Sequence, residues 1–172
     1  MSKQNSSPKK RFSHTVDNYV KYRPHYPEII VETLKELCGL TPDSTVADVG
    51  SGTGIFSQLL LRQGCHVLGV EPNPQMRKAG EEFLRAYEKF ISIDGSAEAT
   101  TLPDQSVDLI TAAQAFHWFE HEKVKAEFLR ILKANGHIVL IWNLQLFKAS
   151  GFMRGYEKWL DEFGVNYKAV CA

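Results

Sequence analysis

The feature that most restricts the fold is a short apolar run that leads directly into three closely spaced glycines. Together they read Val46-Ala47-Asp48-Val49-Gly50-Ser51-Gly52-Thr53-Gly54. An apolar run bounded by glycine predicts a buried strand, and the pattern from Ile55 to Gln63 predicts a helix. Glycine lets the backbone turn sharply and lie close to a ligand, because it has no Cβ atom. The segment therefore predicts a strand, a glycine loop (residues 50–54) and a helix, with a nucleoside cofactor at the loop.

Strands and helices alternate along the rest of the chain. After the first strand, which begins at Thr45, further strands are predicted over residues 66–71, 90–93, 107–112 and 137–142. Apolar residues at helical spacing lie before and between these strands, and Gly136 is predicted to cap the helix before the fifth strand. Several strands are apolar on both faces, which is typical of a parallel sheet covered by helices. The predicted fold class is α/β, a doubly wound sheet whose ligand lies beyond the carboxyl ends of the strands.

Charge and cysteine content restrict the partners. The chain has 172 residues, of which 44% are hydrophobic, and its 20 basic and 20 acidic residues cancel. This size predicts one domain over residues 12–172, after a disordered polar tail over residues 1–11. The absence of net charge argues against nucleic acid or an anionic membrane as partner and favours a small molecule. Three cysteines without metal-type spacing argue against a disulfide framework or a zinc site, so a cytoplasmic location is expected.

Three residues near the glycine loop bear on the choice of cofactor. A dinucleotide fingerprint would place its third glycine at position 55, where the chain has Ile55, and this weakens an NAD interpretation. Glu71 closes the second strand, where a carboxylate can accept hydrogen bonds from both hydroxyls of a ribose in either cofactor class. Asp48 lies inside the first strand and suits the ammonium of an amino-acid cofactor tail. The alternative for Asp48 is a solvated or helix-capping aspartate.

Four motifs occur in order and together resemble one family. They cover residues 46–54, 67–72, 102–108 and 132–136, and they are similar to the motifs of class I S-adenosylmethionine-dependent methyltransferases. The resemblance is greatest to the small-molecule branch that includes ubiquinone/menaquinone-type and trans-aconitate-type enzymes, in which segments like residues 19–27 and 113–119 also occur. The similarity extends from Phe12 to Asn143. It implies a Rossmann-like fold and S-adenosyl-L-methionine as cofactor.

The resemblance also implies roles for individual residues. Asp48 and the glycine loop would hold the methionine part of the cofactor, Glu71 the ribose, and residues 72–76 and 96–98 the adenine. One departure is Ser96, because many relatives have an aspartate there, and a serine accepts a hydrogen bond more weakly. The predicted cofactor-binding residues are Asp48, Gly50, Ser51, Gly52, Thr53, Gly54, Glu71, Pro72, Asn73, Met76, Ser96, Ala97, Glu98, Gln114, Tyr19 and Arg23.

The acceptor side is predicted from the segments around residues 19–23 and 117–118. His117 is the candidate general base or substrate ligand, with a wall histidine bonded to backbone as the alternative. Trp118 and Tyr22 are predicted to contact the substrate. Arg23 could clamp a carboxylate, which hints at an anionic acceptor, or could belong to an N-terminal arm in a surface ion pair. His121 lies four residues after His117, but no third ligand is near, so no metal site is predicted.

The C-terminal part is shorter than the family pattern. Members continue after the fifth strand with a helix and two more strands, and this chain reaches only the helix, over residues 152–163. We therefore expect a sheet that lacks the two C-terminal strands, with an exposed fifth strand that could support a homodimer. The predicted function is methyl transfer to oxygen or carbon of a small molecule. The alternatives are a cofactor-binding domain without turnover and an NAD(P)-dependent oxidoreductase.

Overall fold

A computed structural model describes residues 25–143 and 150–163 of the chain. The polar tail predicted over residues 1–11 lies outside the described residues. The chain divides into two compact units, one that extends to Trp142 and one that begins at Asn143. Among the described residues, the first unit contains the sheet and the second contains one helix.

Five strands and five α-helices account for most of the described residues. In chain order they are α1 (Ile29–Cys38), β1 (Thr45–Val49), α2 (Ile55–Arg62), β2 (His66–Val70), α3 (Pro74–Phe83), β3 (Phe90–Ile93), β4 (Val107–Ala113), α4 (His121–Ile131), β5 (Leu132–Ile141) and α5 (Gly151–Phe163), with a short 3₁₀ helix over Phe116–Trp118. No helix among the described residues is both long and apolar enough to cross a bilayer. All five predicted strands are present, but β5 begins at Leu132 rather than at the predicted His137.

The five strands form one sheet in the order β3-β2-β1-β4-β5, and every neighbouring pair is parallel. The chain moves outward from β1 to β3 on one side and then returns to place β4 on the other side of β1. The strand order therefore reverses next to β1, and a crevice opens there beyond the carboxyl ends of β1 and β4. This confirms the predicted α/β fold with a doubly wound parallel sheet.

The core lies on both faces of the sheet. Val46 in β1 packs with side chains of α1 and α2 on one face, and Ala47 and Val49 pack with side chains of α4 on the other. All three β1 side chains are fully buried. Because successive strand residues point to opposite faces, a strand covered on both sides must be apolar at nearly every position. Asp48 is the exception, and it lies in the middle of this buried strand.

The junction between α4 and β5 differs from the sequence prediction. We expected Gly136 to cap α4, but the helix ends at Ile131, and Leu132 already pairs with Val107 of β4. The last carbonyls of α4 accept hydrogen bonds from the backbone N–H groups of Gln105 and Ser106, so the helix end needs no glycine cap. Gly136 instead lies in an irregular part of β5, where a Cβ atom would come within 2.6 Å of Leu132 Cδ1. The capping prediction was wrong because a neighbouring loop had already satisfied the helix carbonyls.

The second unit contains α5, which was predicted from its apolar spacing. Ser150 begins the helix, and its hydroxyl oxygen accepts a hydrogen bond from Met153 N–H at 3.1 Å. Phe152, Tyr156, Trp159 and Phe163 follow one another along one side, with neighbouring ring centroids 6.0 to 6.4 Å apart. The amphipathic helix is confirmed. A homodimer through β5 stays a prediction.

Substitution of Gly54 tests how closely α2 and the residue after α3 must approach. Gly54 begins α2 at φ +80°, and a Cβ atom there would lie 2.5 Å from Leu84 Cδ1. Gly39 also has a positive φ, +66°, but nothing lies within 4 Å of its Cβ position. We expect Gly39→Ala to lower the free energy of unfolding by about 1 kcal/mol. Gly54→Ala should cost about 1–3 kcal/mol more, because Leu84 must move.

Urea unfolding of both variants measures this difference, and Leu84→Ala in the Gly54→Ala background provides the control. The two substitutions together should cost less than the sum of their separate effects, since the smaller side chain removes the overlap. Equal losses of stability for the two glycine variants would contradict the close approach.

Candidate functional site

A cavity of about 310 Å³ opens at the carboxyl ends of β1, β2 and β4. Ligand sites typically have volumes of roughly 300–1,000 Å³, so the space suits one small molecule. Its lining residues come from the glycine loop, the ends of β2 and β4, and the segments that follow β3 and β4. They are Tyr26, Asp48, Gly50, Ser51, Gly52, Thr53, Ile55, Phe56, Glu71, Pro72, Asn73, Met76, Ser96, Glu98, Ala113, Gln114, Ala115, Trp118, Phe119 and Glu120.

Residues 50–53 of the glycine loop line this cavity, whereas Gly54, which was also predicted to bind the cofactor, is not among the lining residues. Gly50, Gly52 and Gly54 all have positive φ angles, between 58° and 80°. The backbone N–H groups of Gly50 and Ser51 both donate to the Val70 carbonyl at the end of β2, at 2.8 and 3.2 Å. A Cβ atom on Gly50 would come within 2.6 Å of the Ala115 Cβ atom. The loop therefore holds its path by binding β2, and it leaves no room for a side chain at Gly50.

Glu71 presents a carboxylate whose direction is fixed by two backbone N–H groups. Gly52 N–H donates to Oε2 at 3.0 Å, and Asn73 N–H donates to Oε1 at 2.8 Å. The residue is only 9% exposed. Burial raises the pKa of Glu71, and the hydrogen bonds from Asn73 and Gly52 oppose that effect. Each carboxylate oxygen has a second lone pair, so the group can still accept from a pair of hydroxyls in the cavity.

Asp48 is a buried carboxylate held by two hydroxyls. Ser57 on α2 donates to Oδ2 at 2.6 Å, and Thr111, the neighbour of Asp48 across β1 and β4, donates to Oδ1 at 3.0 Å. Burial raises the pKa of Asp48 to about 6, although the Ser57 and Thr111 hydrogen bonds act to lower it. Asp48 lines the cavity, and its burial excludes the alternative of a solvated aspartate. A backbone hydrogen bond from Ser57, in the first turn of α2, also acts on this carboxylate, so the helix-capping alternative is not excluded.

Thr53 has the one buried side-chain oxygen or nitrogen without a hydrogen-bond partner among the described residues. The residue is 1% exposed and lines the cavity. A buried hydroxyl without a partner costs about 1–3 kcal/mol relative to a satisfied one. The threonine therefore marks a position where a polar ligand atom would stabilise the folded protein.

Asn73, Pro72 and Met76 lie together at the start of α3. The Asn73 side chain accepts hydrogen bonds from Gln75 N–H at 2.9 Å and Met76 N–H at 3.2 Å, so it caps this helix. The sequence Asn73-Pro74 carries that signal, because proline favours the first helical position. All three residues line the cavity, and the Asn73 carboxamide oxygen is committed to the helix. Their contact with adenine stays a prediction.

Of the three residues after β3 that were predicted to contact adenine, two line the cavity. Ser96 and Glu98 do so from the turn after β3, and Glu98 Oε1 accepts a hydrogen bond from Glu120 N–H at 3.0 Å. Ala97 lies between them, but its side chain is 4% exposed and packs in the core. Its predicted contact with adenine could come only from its backbone and stays a prediction.

The segment after β4 forms the opposite wall. Gln114 has a φ of 56°, in the left-handed region, and its N–H donates to the Ile141 carbonyl at 2.8 Å. Gln114 and Trp118 both line the cavity. His117 does not line it, because its ring lies exposed beside that of Trp118 with centroids 4.8 Å apart. This placement does not support His117 as the catalytic base, since the ring is absent from the cavity wall.

Tyr19, Tyr22 and Arg23 lie outside the described residues, so their predicted roles stay predictions. Within residues 25–143 and 150–163, no group of three or more acidic, histidine or cysteine side chains could hold a metal ion. Sequence reasoning missed seven lining residues, which are Tyr26, Ile55, Phe56, Ala113, Ala115, Phe119 and Glu120. Most of them adjoin predicted site residues in the chain, and this proximity was the available signal.

The chain is similar in sequence and in fold to known proteins. A family model described as "Methyltransferase domain" matches residues 47–140. An uncharacterized methyltransferase of Schizosaccharomyces pombe is 33% identical over 138 residues, which cover 78% of this chain and 53% of that protein. The chain spans about half the length of the curated relatives it matches.

Two solved structures show the same fold. A SAM-dependent methyltransferase from Aquifex aeolicus is 25% identical, with a TM-score of 0.61 over 70% of this chain and 67% of that one. A Methanococcus maripaludis protein, provisionally described as an S-adenosyl-L-methionine-dependent methyltransferase, has a TM-score of 0.75 at 20% identity and covers 99% of this chain and 78% of that one. The second likeness shows the fold alone.

The pKa of Asp48 predicts an unusual pH dependence of stability. In the folded protein the pKa is about 6, above the ordinary value of 3.8. Between these values the folded state holds a proton that the unfolded state has lost, so the free energy of unfolding should fall as the pH rises from 4 to 6. The fall attributable to Asp48 is at most about 3 kcal/mol. Urea unfolding at several pH values measures it.

Asp48→Asn should remove the part of this fall that Asp48 contributes, because the amide does not titrate. Asp43→Asn is the matched control, since Asp43 is exposed in the loop before β1, and it should leave the pH dependence as in the wild type. The same slope in the wild type and in Asp48→Asn would show that Asp48 is not the titrating group.

Proposed function

The chain belongs to the methyltransferase domain family, and from that premise we propose that it transfers a methyl group from S-adenosyl-L-methionine to a small-molecule acceptor, at oxygen or carbon. The observation that carries the proposal is the fixed carboxylate of Glu71 beside the glycine loop. A carboxylate whose orientation is set by backbone N–H groups needs little rearrangement to accept hydrogen bonds from two neighbouring ribose hydroxyls.

The residues around the cavity fit this cofactor. Glu71 would hold the ribose, and the buried carboxylate of Asp48 would face the ammonium of the methionine part. The Thr53 hydroxyl lacks a partner among the described residues and would gain one from a polar atom of the cofactor. Gly50 and Gly52 let the backbone lie against the ligand. Ser96 and Glu98 would accept from the adenine amino group.

The charge of the cavity favours this cofactor over a dinucleotide. All four charged side chains among the described lining residues are acidic, namely Asp48, Glu71, Glu98 and Glu120. A sulfonium with an ammonium group is attracted to such a wall, whereas the diphosphate of NAD(P) is repelled. The family and the cavity therefore both disfavour the NAD(P)-dependent alternative. An anionic acceptor was suggested only by Arg23 and does not form part of this proposal.

The chain's own residues would act mainly by orientation. When bound, the cofactor supplies an electrophilic methyl group on a sulfonium. Tyr26, Trp118 and Phe119 give the cavity an aromatic wall that would exclude water and position an acceptor. Such a wall also stabilises a cationic group through its ring faces. Correct placement of two reactants can supply much of the acceleration, and this proposal assigns no residue a covalent role.

Cofactor binding by Glu71→Gln is the direct test. Both Glu71 oxygens accept from backbone N–H groups, so a glutamine would place an NH₂ against one of these donors and lose the charge as well. We expect the affinity for S-adenosylhomocysteine, measured by calorimetry, to fall on the order of tenfold to a hundredfold. Glu36→Gln, on the exposed face of α1, should bind as the wild type does.

Competition and turnover complete the test. Tighter binding of NADH than of S-adenosylhomocysteine to the wild-type chain would refute the proposed cofactor. Turnover is then measured with labelled S-adenosyl-L-methionine and a panel of carboxylic acids and quinol-like phenols. Cofactor binding without transfer to any of them would favour the alternative of a binding domain that does not catalyse.

A further inference from the structure

The turn between β3 and β4 contributes two side chains to the cavity and is tightly folded. Ser96 and Ala99 exchange both backbone hydrogen bonds, at 3.1 and 3.2 Å. A Cβ atom on Gly95 would come within 2.7 Å of the Thr100 carbonyl oxygen, so the chain nearly touches itself where the turn closes. Ser96 and Glu98 lie inside this turn and line the cavity. Their positions therefore depend on how the turn is held at Thr100, its last residue.

Thr100 is held by a carboxylate that lies outside the cavity. The residue is fully buried, and both its N–H and its hydroxyl donate to Glu127 Oε1, at 2.8 and 2.5 Å. Leu102 N–H in turn donates to the Thr100 hydroxyl oxygen at 3.3 Å. Glu127 belongs to α4 and is not among the lining residues. One carboxylate oxygen thus satisfies two donors that would otherwise be buried without a partner.

A second contact joins the same turn to the start of α4. Glu98 Oε1 accepts from Glu120 N–H at 3.0 Å, immediately before the first residue of the helix. The turn and the helix are therefore connected reciprocally. The helix supplies an acceptor for Thr100, and the turn supplies an acceptor for the unpaired N–H at the helix start. Glu120, immediately before α4, also lines the cavity. The start of this helix is therefore connected both to the turn and to the cavity wall.

Arg130 fixes the Glu127 side chain. Its Nε donates to Oε2 at 2.8 Å and its Nη2 to Oε1 at 2.7 Å, which is a bidentate pair. The hydrogen bonds from Arg130, followed by those from Thr100, lower the pKa of Glu127 to about 2. The carboxylate therefore keeps its charge at any pH used for assay. Asp104 contacts Arg130 from the exposed side at 2.5 Å and does not reach Thr100.

We propose that Glu127 is a positioning residue for the cofactor cavity, which acts through Thr100 to hold Ser96 and Glu98 where they meet the ligand. This inference rests on the proposed function, since the ligand used to test it is the cofactor product. It assigns Glu127 no contact with the ligand. Loss of the Glu127 carboxylate should loosen the turn and weaken binding, while the glycine loop and Glu71 remain in place.

Four variants test the proposal by calorimetric titration with S-adenosylhomocysteine. Glu127→Gln keeps the size of the side chain but loses one acceptor, and we expect binding to weaken on the order of tenfold at unchanged stoichiometry. Thr100→Val removes only the hydroxyl and should weaken binding less. The double variant should weaken binding by less than the product of the two single effects, because both changes break the same contact. Asp104→Asn breaks the exposed contact to Arg130 and should stay within about twofold of the wild type.

Stoichiometry separates positioning from folding. A purely structural defect lowers the fraction of molecules that bind, whereas a positioning defect changes the dissociation constant of those that do. If Glu127→Gln folds poorly, the comparison of Thr100→Val with Asp104→Asn still tests the proposal. Binding should be weaker in Thr100→Val than in Asp104→Asn, and equal binding would overturn the proposal. Wild-type affinity for Glu127→Gln, or multiplicative effects in the double variant, would overturn the proposal. If the wild type itself fails to bind S-adenosylhomocysteine, the proposed function fails instead.

Hydrogen exchange gives a readout that needs no ligand. In the Glu127→Gln variant the amides of Ser96, Ala99 and Thr100 should exchange faster than in the wild type, because the turn loses its attachment. The amides of Gly50 and Ser51, which donate to the Val70 carbonyl, should be unchanged. Equal acceleration in both segments would indicate general destabilisation and would contradict a local positioning role.

Discussion

The close approach of backbone segments at the carboxyl end of β1 is the constraint on which the rest of the structure depends. A Cβ atom on Gly50 would come within 2.6 Å of the Ala115 Cβ atom, and one on Gly54 within 2.5 Å of Leu84 Cδ1, so neither position admits a side chain unless its neighbour moves. These contacts bring the ends of β1 and β4 and the residues that follow α3 to one point. The cavity exists because the backbone occupies so little space there, and the acidic side chains of neighbouring segments meet around it.

Two carboxylates that are costly to bury both lie in the wall of the cavity. Asp48 and Glu71 are both largely removed from water, and each depends on hydrogen bonds from neighbouring elements for its position. Such carboxylates are rarely placed in a core without a partner, because an ionised group loses much of its hydration there. A ligand with cationic groups would supply what the protein leaves incomplete. The charge and the hydrogen-bond geometry of the cavity therefore favour S-adenosyl-L-methionine, as does the similarity to the family.

Local patterns sufficed to predict the sheet, and they were weaker for the site. Strand positions follow from apolar runs that both faces of the sheet bury, so β1 and β4 could be placed from sequence. Gly136 misled us because the loop near Gln105, distant in the chain, satisfies the end of α4. His117 fits the family segment, but the direction of its ring depends on a 3₁₀ turn that sequence spacing does not specify. No sequence pattern marks Glu127, because its partner Thr100 lies 27 positions away in the chain.

The elevated pKa of Asp48 links ligand binding to proton exchange with the solvent. Near pH 6 about half of the molecules hold a proton on this carboxyl group. A ligand that brings a positive group to Asp48 would expel that proton, and the buffer would take it up. The heat of binding would then vary with the ionisation enthalpy of the buffer, and the apparent affinity would increase with pH across this interval. A single buried carboxylate, held by Ser57 and Thr111, would thus make the acidity of the medium one of the variables that set the occupancy of the cavity.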